Sequence, residues 1–158
     1  MYQKGIDSRD DKMRITQEAD YALRIVYMLA KDGGVLDAST ISRDAGVTER
    51  FTVKILRKLM TGGVVSSKMG ARGGYSLAEN PENVSMQHII EIIDGPVEIS
   101  RCLDSEYGCT RMGDKKSECT FHLIFAKINK SIADKMGKVT FDTVIADDFD
   151  VTKLLENF

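Results

Sequence analysis

The sequence predicts a mainly α-helical protein with a small β wing: a winged helix-turn-helix domain followed by a long dimerisation helix. Three observations carry this expectation. Between Asp37 and Thr61 two helical patterns meet at a tight turn on Gly46, which is helix-turn-helix geometry. Just beyond, two short β-patterned runs flank Gly70-Ala71-Arg72-Gly73-Gly74. From Leu123 onward, apolar side chains recur at helical spacing.

Composition bounds the class first. The 158 residues are 42% hydrophobic and 29% charged, with no tract of a single residue type, so disordered, collagen-like and low-complexity classes are excluded. The longest apolar stretch near the start, Tyr21 to Ala30, is interrupted by Arg24, which leaves neither a membrane span nor a signal-peptide core. The expected address is cytoplasmic. Three cysteines without a secretory signal read as reduced thiols, so metal binding or redox chemistry is their natural use.

Residues 1–12 carry mixed charge and little apolar material and are expected to form a disordered leader. The DNA-binding domain is expected over residues 13–95. Ile15, Ala19, Ala22, Leu23, Val26, Leu29 and Ala30 follow helical spacing up to Gly33-Gly34. Asp37 caps a helix from Ala38 to Ala45, Gly46 turns the chain, and Thr48 caps a helix from Glu49 to Thr61 that ends at Gly62-Gly63. Val64 to Met69 and Tyr75 to Leu77 form the wing. Asn80-Pro81-Glu82-Asn83 breaks the chain. Ser85 then caps a helix through Ile93, with Val84 and Ile89 as a hydrophobic staple and Asp94-Gly95-Pro96 as the stop. Residues 96–119 show no clear period and hold all three cysteines; a connection of this length needs something to order it. Leu123, Ile124, Ile128, Ile132 and Met136 define a helix within a dimerisation region at residues 120–146, and residues 147–158 make an acidic tail.

The net charge of −2 hides an asymmetry. Ala38 to Asn80 holds seven basic against three acidic residues, whereas Lys138 to Phe158 holds two against five. That distribution suggests a basic working face and an acidic end. On the helix from Glu49, Arg50, Lys54, Arg57 and Thr61 share one face while Phe51, Ile55, Leu56 and Leu59 occupy the other. This is the layout of a recognition helix, whose basic face enters the major groove of double-stranded DNA while its apolar face docks on the domain. Thr48, Arg50, Thr52, Lys54, Arg57 and Lys58 on this helix, with Lys68, Arg72 and Gly73 on the wing, are the expected DNA contacts. A solvated basic helix is the bland alternative. The glycine-rich wing tip does not suit a nucleotide-phosphate loop, because it leads into a strand and no Gly-Lys-Ser/Thr follows.

Cys102, Cys109 and Cys119 lie in one loop, and His122 follows Cys119 closely. Thiolates and imidazole are ligands of iron–sulfur clusters and of zinc. The absence of a Cys-x-x-Cys knuckle weakens structural zinc. A metal-free thiol switch and three unrelated thiols remain alternatives.

Met13-Arg14-Ile15-Thr16, Ala19-Asp20-Tyr21-Ala22-Leu23-Arg24, the helix-turn-helix, the wing Gly70 to Leu77 and the three-cysteine loop together resemble the Rrf2 (Rrf-two) family of winged-helix transcription regulators. The resemblance spans Met13 to Ala146. It implies a homodimer paired through the long helix after the cysteines, a palindromic operator, and an iron–sulfur cluster, of two-iron or four-iron type, that controls DNA affinity in response to iron, redox state or nitric oxide. By the same resemblance Cys102, Cys109 and Cys119 are cluster ligands. His122 matches the fourth ligand of the IscR branch, and Asp20, reaching over from the other subunit, matches that of the NsrR branch. The alternatives are a thiol-redox or zinc-binding regulator of the same family and, more distantly, a cluster-bearing electron carrier. No Ser/His/Asp arrangement suggests an enzyme, and His88 sits on a predicted helix as an ordinary structural residue.

Overall fold

Helix α1, Gln17–Asp32, begins where the Thr16 hydroxyl accepts from the Ala19 N–H at 3.2 Å and ends at Gly33. The structure, a computed structural model, describes residues 15–156 apart from residues 71, 107, 108 and 110. The expected leader, with Met13, Arg14 and Ala71, lies outside the described residues. Ala19, Ala22, Ile25, Val26, Leu29 and Ala30 bury one face of α1, and their small members let neighbouring elements approach closely. The helices over residues 38–45, 49–61, 86–94 and 141–145 and the wing all pack on it.

Helix α2, Ala38–Ala45, starts as expected at Asp37, whose carboxylate accepts from the N–H groups of Ser39 and Thr40. Gly46 takes φ 68°, a left-handed turn that glycine makes without steric cost. Helix α3, Glu49–Thr61, buries Thr52, Ile55, Leu56 and Leu59. Thr48 precedes α3 as expected, but its hydroxyl makes no capping bond; only its carbonyl serves, accepting from Thr52 N–H at 2.9 Å.

Strands β1, Val65–Lys68, and β2, Gly74–Leu77, pair antiparallel from Val65 opposite Leu77 to Lys68 opposite Gly74. Tyr75 exchanges both backbone hydrogen bonds with Leu36, at 2.8 and 2.9 Å, so the wing is anchored to the segment ahead of α2. A Cβ at Gly74 would stand 2.4 Å from the Leu36 carbonyl oxygen, which restricts that position to glycine.

Helix α4, Met86–Asp94, is capped by the Ser85 hydroxyl, and Val84 and Ile89 are both fully buried, as a staple requires. Helix α5, Thr120–Lys138, has no fully buried residue over its 19 positions. After α5 the chain returns to the domain: Met86 N–H donates to Val139 C=O at 2.8 Å and Phe141 N–H to Val84 C=O at 3.0 Å. Helix α6, Phe141–Ile145, then packs on α1 with Phe141 only 5% exposed. Residues 120–146 therefore combine one outlying helix with a short one that completes the core. The acidic end contains a further helix, α7, Val151–Glu156, begun by the Asp150 carboxylate accepting from Thr152 N–H. Among the described residues no helix is long and apolar enough to cross a membrane.

Candidate nucleic-acid interface and cysteine loop

The core pins α3 by one face, so its remaining face is fixed in direction. Arg50, Lys54 and Arg57 are exposed there with Thr48 at the start, and they line a concavity of about 870 Å³ together with Glu49, Phe51 and Val53. Lys68 and Arg72 are exposed on the wing. Gly73 forms the wing turn, donating its N–H to Gly70 C=O at 2.8 Å; a Cβ there would sit 2.4 Å from Lys68 C=O. Thr52 is a correction to the sequence reading. It is 0% exposed, because two residues of helix turn it about 200° away from Arg50 and into the core, and it offers nothing to a groove. Its Oγ1 is buried with no hydrogen-bond partner among the described residues.

Lys54 and Lys58 are placed differently from the arginines. Glu18 on α1 meets Lys58 Nζ at 2.8 Å and Lys54 Nζ at 3.1 Å. Burial alone would raise the Glu18 carboxyl, but its bonds to Lys58 and then Lys54 outweigh that and hold it below the ordinary glutamate range. Sequence reasoning missed Glu18, because its partners are 36 and 40 positions away and only the packing of α1 on α3 joins them. Two further polar residues were missed for the same reason. Asp94, at the end of α4, accepts from both the hydroxyl and the N–H of Thr16 at 2.6 and 3.2 Å, tying α4 to the start of α1. Asn129 on α5 donates to Val97 C=O at 2.7 Å and accepts from Ile99 N–H at 3.0 Å, clamping the first stretch of the cysteine loop to the helix. A lone asparagine on the inner side of an apolar helix was the available signal.

The loop holds Cys102, Cys109 and Cys119 half-buried, with Cys119 immediately ahead of α5. The Ser100 hydroxyl lies 3.3 Å from Cys102 Sγ, and Met112 N–H donates to Cys109 Sγ at 3.4 Å. His122 Nδ1 lies 3.0 Å from Cys102 C=O, which joins the loop to α5 a second time. Asp20 makes an exposed pair with Arg24 at 2.7 Å. Three thiols and an imidazole suit an iron–sulfur cluster chemically. Among the described residues, however, no three Cys, His, Asp or Glu side chains are gathered as a metal site.

On α5, Phe121, Leu123, Ile124, Phe125 and Ile128 are all exposed. Ile132 and Met136, one and two helical steps of four residues beyond Ile128, line a cleft of about 380 Å³ within the subunit beside Ile15, Ile90, Val97 and Ile99.

Residues 15–147 match the family model Rrf2, described as an iron-dependent transcriptional regulator. A Rhodobacter capsulatus protein named as an rrf2-like HTH-type transcriptional regulator is 32% identical over 149 residues, covering 90% of this chain and 99% of that protein. IscR of Pectobacterium carotovorum, an HTH-type transcriptional regulator, is 26% identical over 135 residues, covering 84% of this chain and 79% of its own. Among solved structures, CymR, the global cysteine regulator of B. subtilis, superposes with a TM-score of 0.68 at 21% identity, covering 85% of this chain and 97% of that one. IscR of T. potens superposes at 0.61 with 22% identity, covering 84% and 85%. Both likenesses establish the fold.

Proposed function

This chain belongs to the Rrf2 family of transcriptional regulators, and on that premise we propose that it binds a palindromic duplex operator as a homodimer under the control of an iron–sulfur cluster on its cysteine loop. The observation that carries the DNA reading is the two-sided α3: one face buries Thr52, Ile55, Leu56 and Leu59, and the other presents Arg50 and Arg57 to solvent beside a wing bearing Lys68 and Arg72. Arginine in this position donates two hydrogen bonds to a guanine edge, and the wing cations and the Gly73 turn meet the neighbouring backbone. The dimer reading rests on α5. Five large apolar side chains exposed along one helix are what a twofold pairing would cover.

The cluster reading rests on the donor set, Cys102, Cys109 and Cys119 with His122 as the favoured fourth ligand and Asp20 of the other subunit as its alternative. A bound cluster would supply a thiolate-ligated centre whose gain, loss or oxidation alters the charge and order of the loop. The chain's own residues would carry such a change onward: Asn129 and His122 join the loop to α5, and Asp94 joins its start to α1. A thiol switch without metal is the second reading. It is supported by Cys102 and Cys109 each being hydrogen-bonded within its own stretch of the loop, with no three ligating side chains gathered as a metal site among the described residues.

Two measurements test this. Operator binding followed against salt should weaken by about 1–3 kcal/mol in Arg50→Ala, with relaxed sequence preference, and the salt slope should fall by about one per protomer in Arg72→Ala if Arg72 meets phosphate. Unchanged binding in both variants would falsify the interface. Strictly anaerobic purification with iron and sulfide analysis should yield a coloured protein whose spectrum changes in His122→Ala; a change confined to Asp20→Ala would assign the fourth ligand to Asp20, and a colourless protein would favour the thiol switch.

A further inference from the structure

The cations of the reading surface fall into two sets. Arg50, Arg57, Lys68 and Arg72 have no ion-pair partner among the described residues, whereas Lys54 and Lys58 both end on one carboxylate, that of Glu18. The Glu18 side chain is only 18% exposed, and it lies in the first turn of α1, where the helix macrodipole favours a negative charge. Lys58 Nζ also lies 3.5 Å from the Ile93 carbonyl, and the Lys54 ammonium lies 5.1 Å from the Phe51 ring centroid. Both ammonium groups are thus held on the protein by more than one contact.

A DNA phosphate seeking either lysine must displace the Glu18 carboxylate. Glu18 would then lose its counter-charges while lying beside a polyanion. The lysines therefore add little to counterion release, the term that drives sequence-independent DNA binding. The arginines, which can read base edges, keep their full charge. We infer that Glu18 is a specificity-determining residue, an internal carboxylate that occupies Lys54 and Lys58 and suppresses sequence-independent affinity for DNA. The inference rests on the DNA-binding reading above and deepens it.

The probe is a fluorescent duplex of arbitrary sequence, titrated with the full-length protein at several salt concentrations. Glu18→Gln should bind it more tightly at low salt, with the slope of log affinity against log salt steeper by about 0.9 for each freed lysine, or about 1.8 per protomer. Its advantage over wild type should then shrink about twelvefold per bound protomer between about 50 and 200 mM salt, or about 150-fold for a dimer bound through both. Adding Lys54→Gln and Lys58→Gln to Glu18→Gln should return the slope to the wild-type value. Glu18→Met, uncharged and similar in size, provides the same comparison should Glu18→Gln fail to fold. Without DNA, Lys54 and Lys58 should be acylated faster in the variant than in wild type, read by mass spectrometry. A wild-type protein that binds the duplex, with a Glu18 variant of equal slope and equal lysine reactivity, overturns the inference and leaves the DNA reading standing. A wild-type protein that binds no duplex even at low salt overturns the DNA reading, and this inference with it.

Discussion

Replacing Thr52 by valine tests the orientation of the recognition helix from its buried side. Thr52 is 0% exposed and its Oγ1 has no hydrogen-bond partner among the described residues, so folding strips that hydroxyl of water without compensation. A buried polar group left unsatisfied costs about 1–3 kcal/mol. Valine has nearly the same shape and the same β-branched helix propensity, so the exchange removes the cost while leaving the packing intact. For a domain of this size about 1 kcal/mol moves Tm by about 2–4 °C, so Thr52→Val should melt about 2–12 °C higher than wild type. Thermal unfolding by circular dichroism reads the shift, and operator binding reads the other half of the argument. Because Thr52 faces Ile55, Leu56 and Leu59 rather than the groove, DNA affinity should be unchanged. A lower Tm, or weakened operator binding at unchanged stability, would refute the burial argument and return Thr52 to the contact surface.

Ile128 is 46% exposed on α5, and covering the remainder in a twofold dimer is worth about 0.7–1.4 kcal/mol per copy, so Ile128→Ala should raise the dimer Kd about 10- to 100-fold in sedimentation equilibrium; a wild-type monomer at micromolar concentration, with or without metal, would exclude the pairing. Asp37 is held well below the ordinary aspartate value of 3.8, first by the Thr40 N–H and then by the hydroxyls of Ser39 and Thr40. A carboxyl depressed by folding stabilises the folded state fully above its unfolded pKa and loses that contribution as pH falls through the range below it. Glu18 acts in the same direction. Asp37→Asn, which caps without titrating, should therefore unfold less steeply in acid below about pH 4 than wild type does, as chemical denaturation at neutral and acid pH would show.

The helices and their ends were legible because local chemistry specifies them. Asp37 and Gly46 bound α2, Ser85 begins α4, and the glycines after Thr61 stop α3, each by a bond or a backbone conformation contained within a few residues. The wing was legible for the same reason, and so was the division of α3 into apolar and basic faces, which follows from helical period alone. Thr52 was misplaced although the same period turns it about 200° from Arg50 and among Ile55, Leu56 and Leu59: a polar residue in a basic stretch suggested solvent. The tertiary structure decided everything that depends on residues distant in the chain. It paired Glu18 with Lys54 and Lys58, separating the lysines from the arginines beside them, and it tied Asp94 to Thr16 and Asn129 to the cysteine loop. It also drew Phe141 into the core and packed the domain against Ile132 and Met136 of α5, while leaving Phe121, Leu123, Ile124, Phe125 and Ile128 of the same helix exposed. The physical reason is common to all of these: a sequence states which side chains seek a counter-charge or a dry surface, and only the packing of one helix against another determines which of them find it.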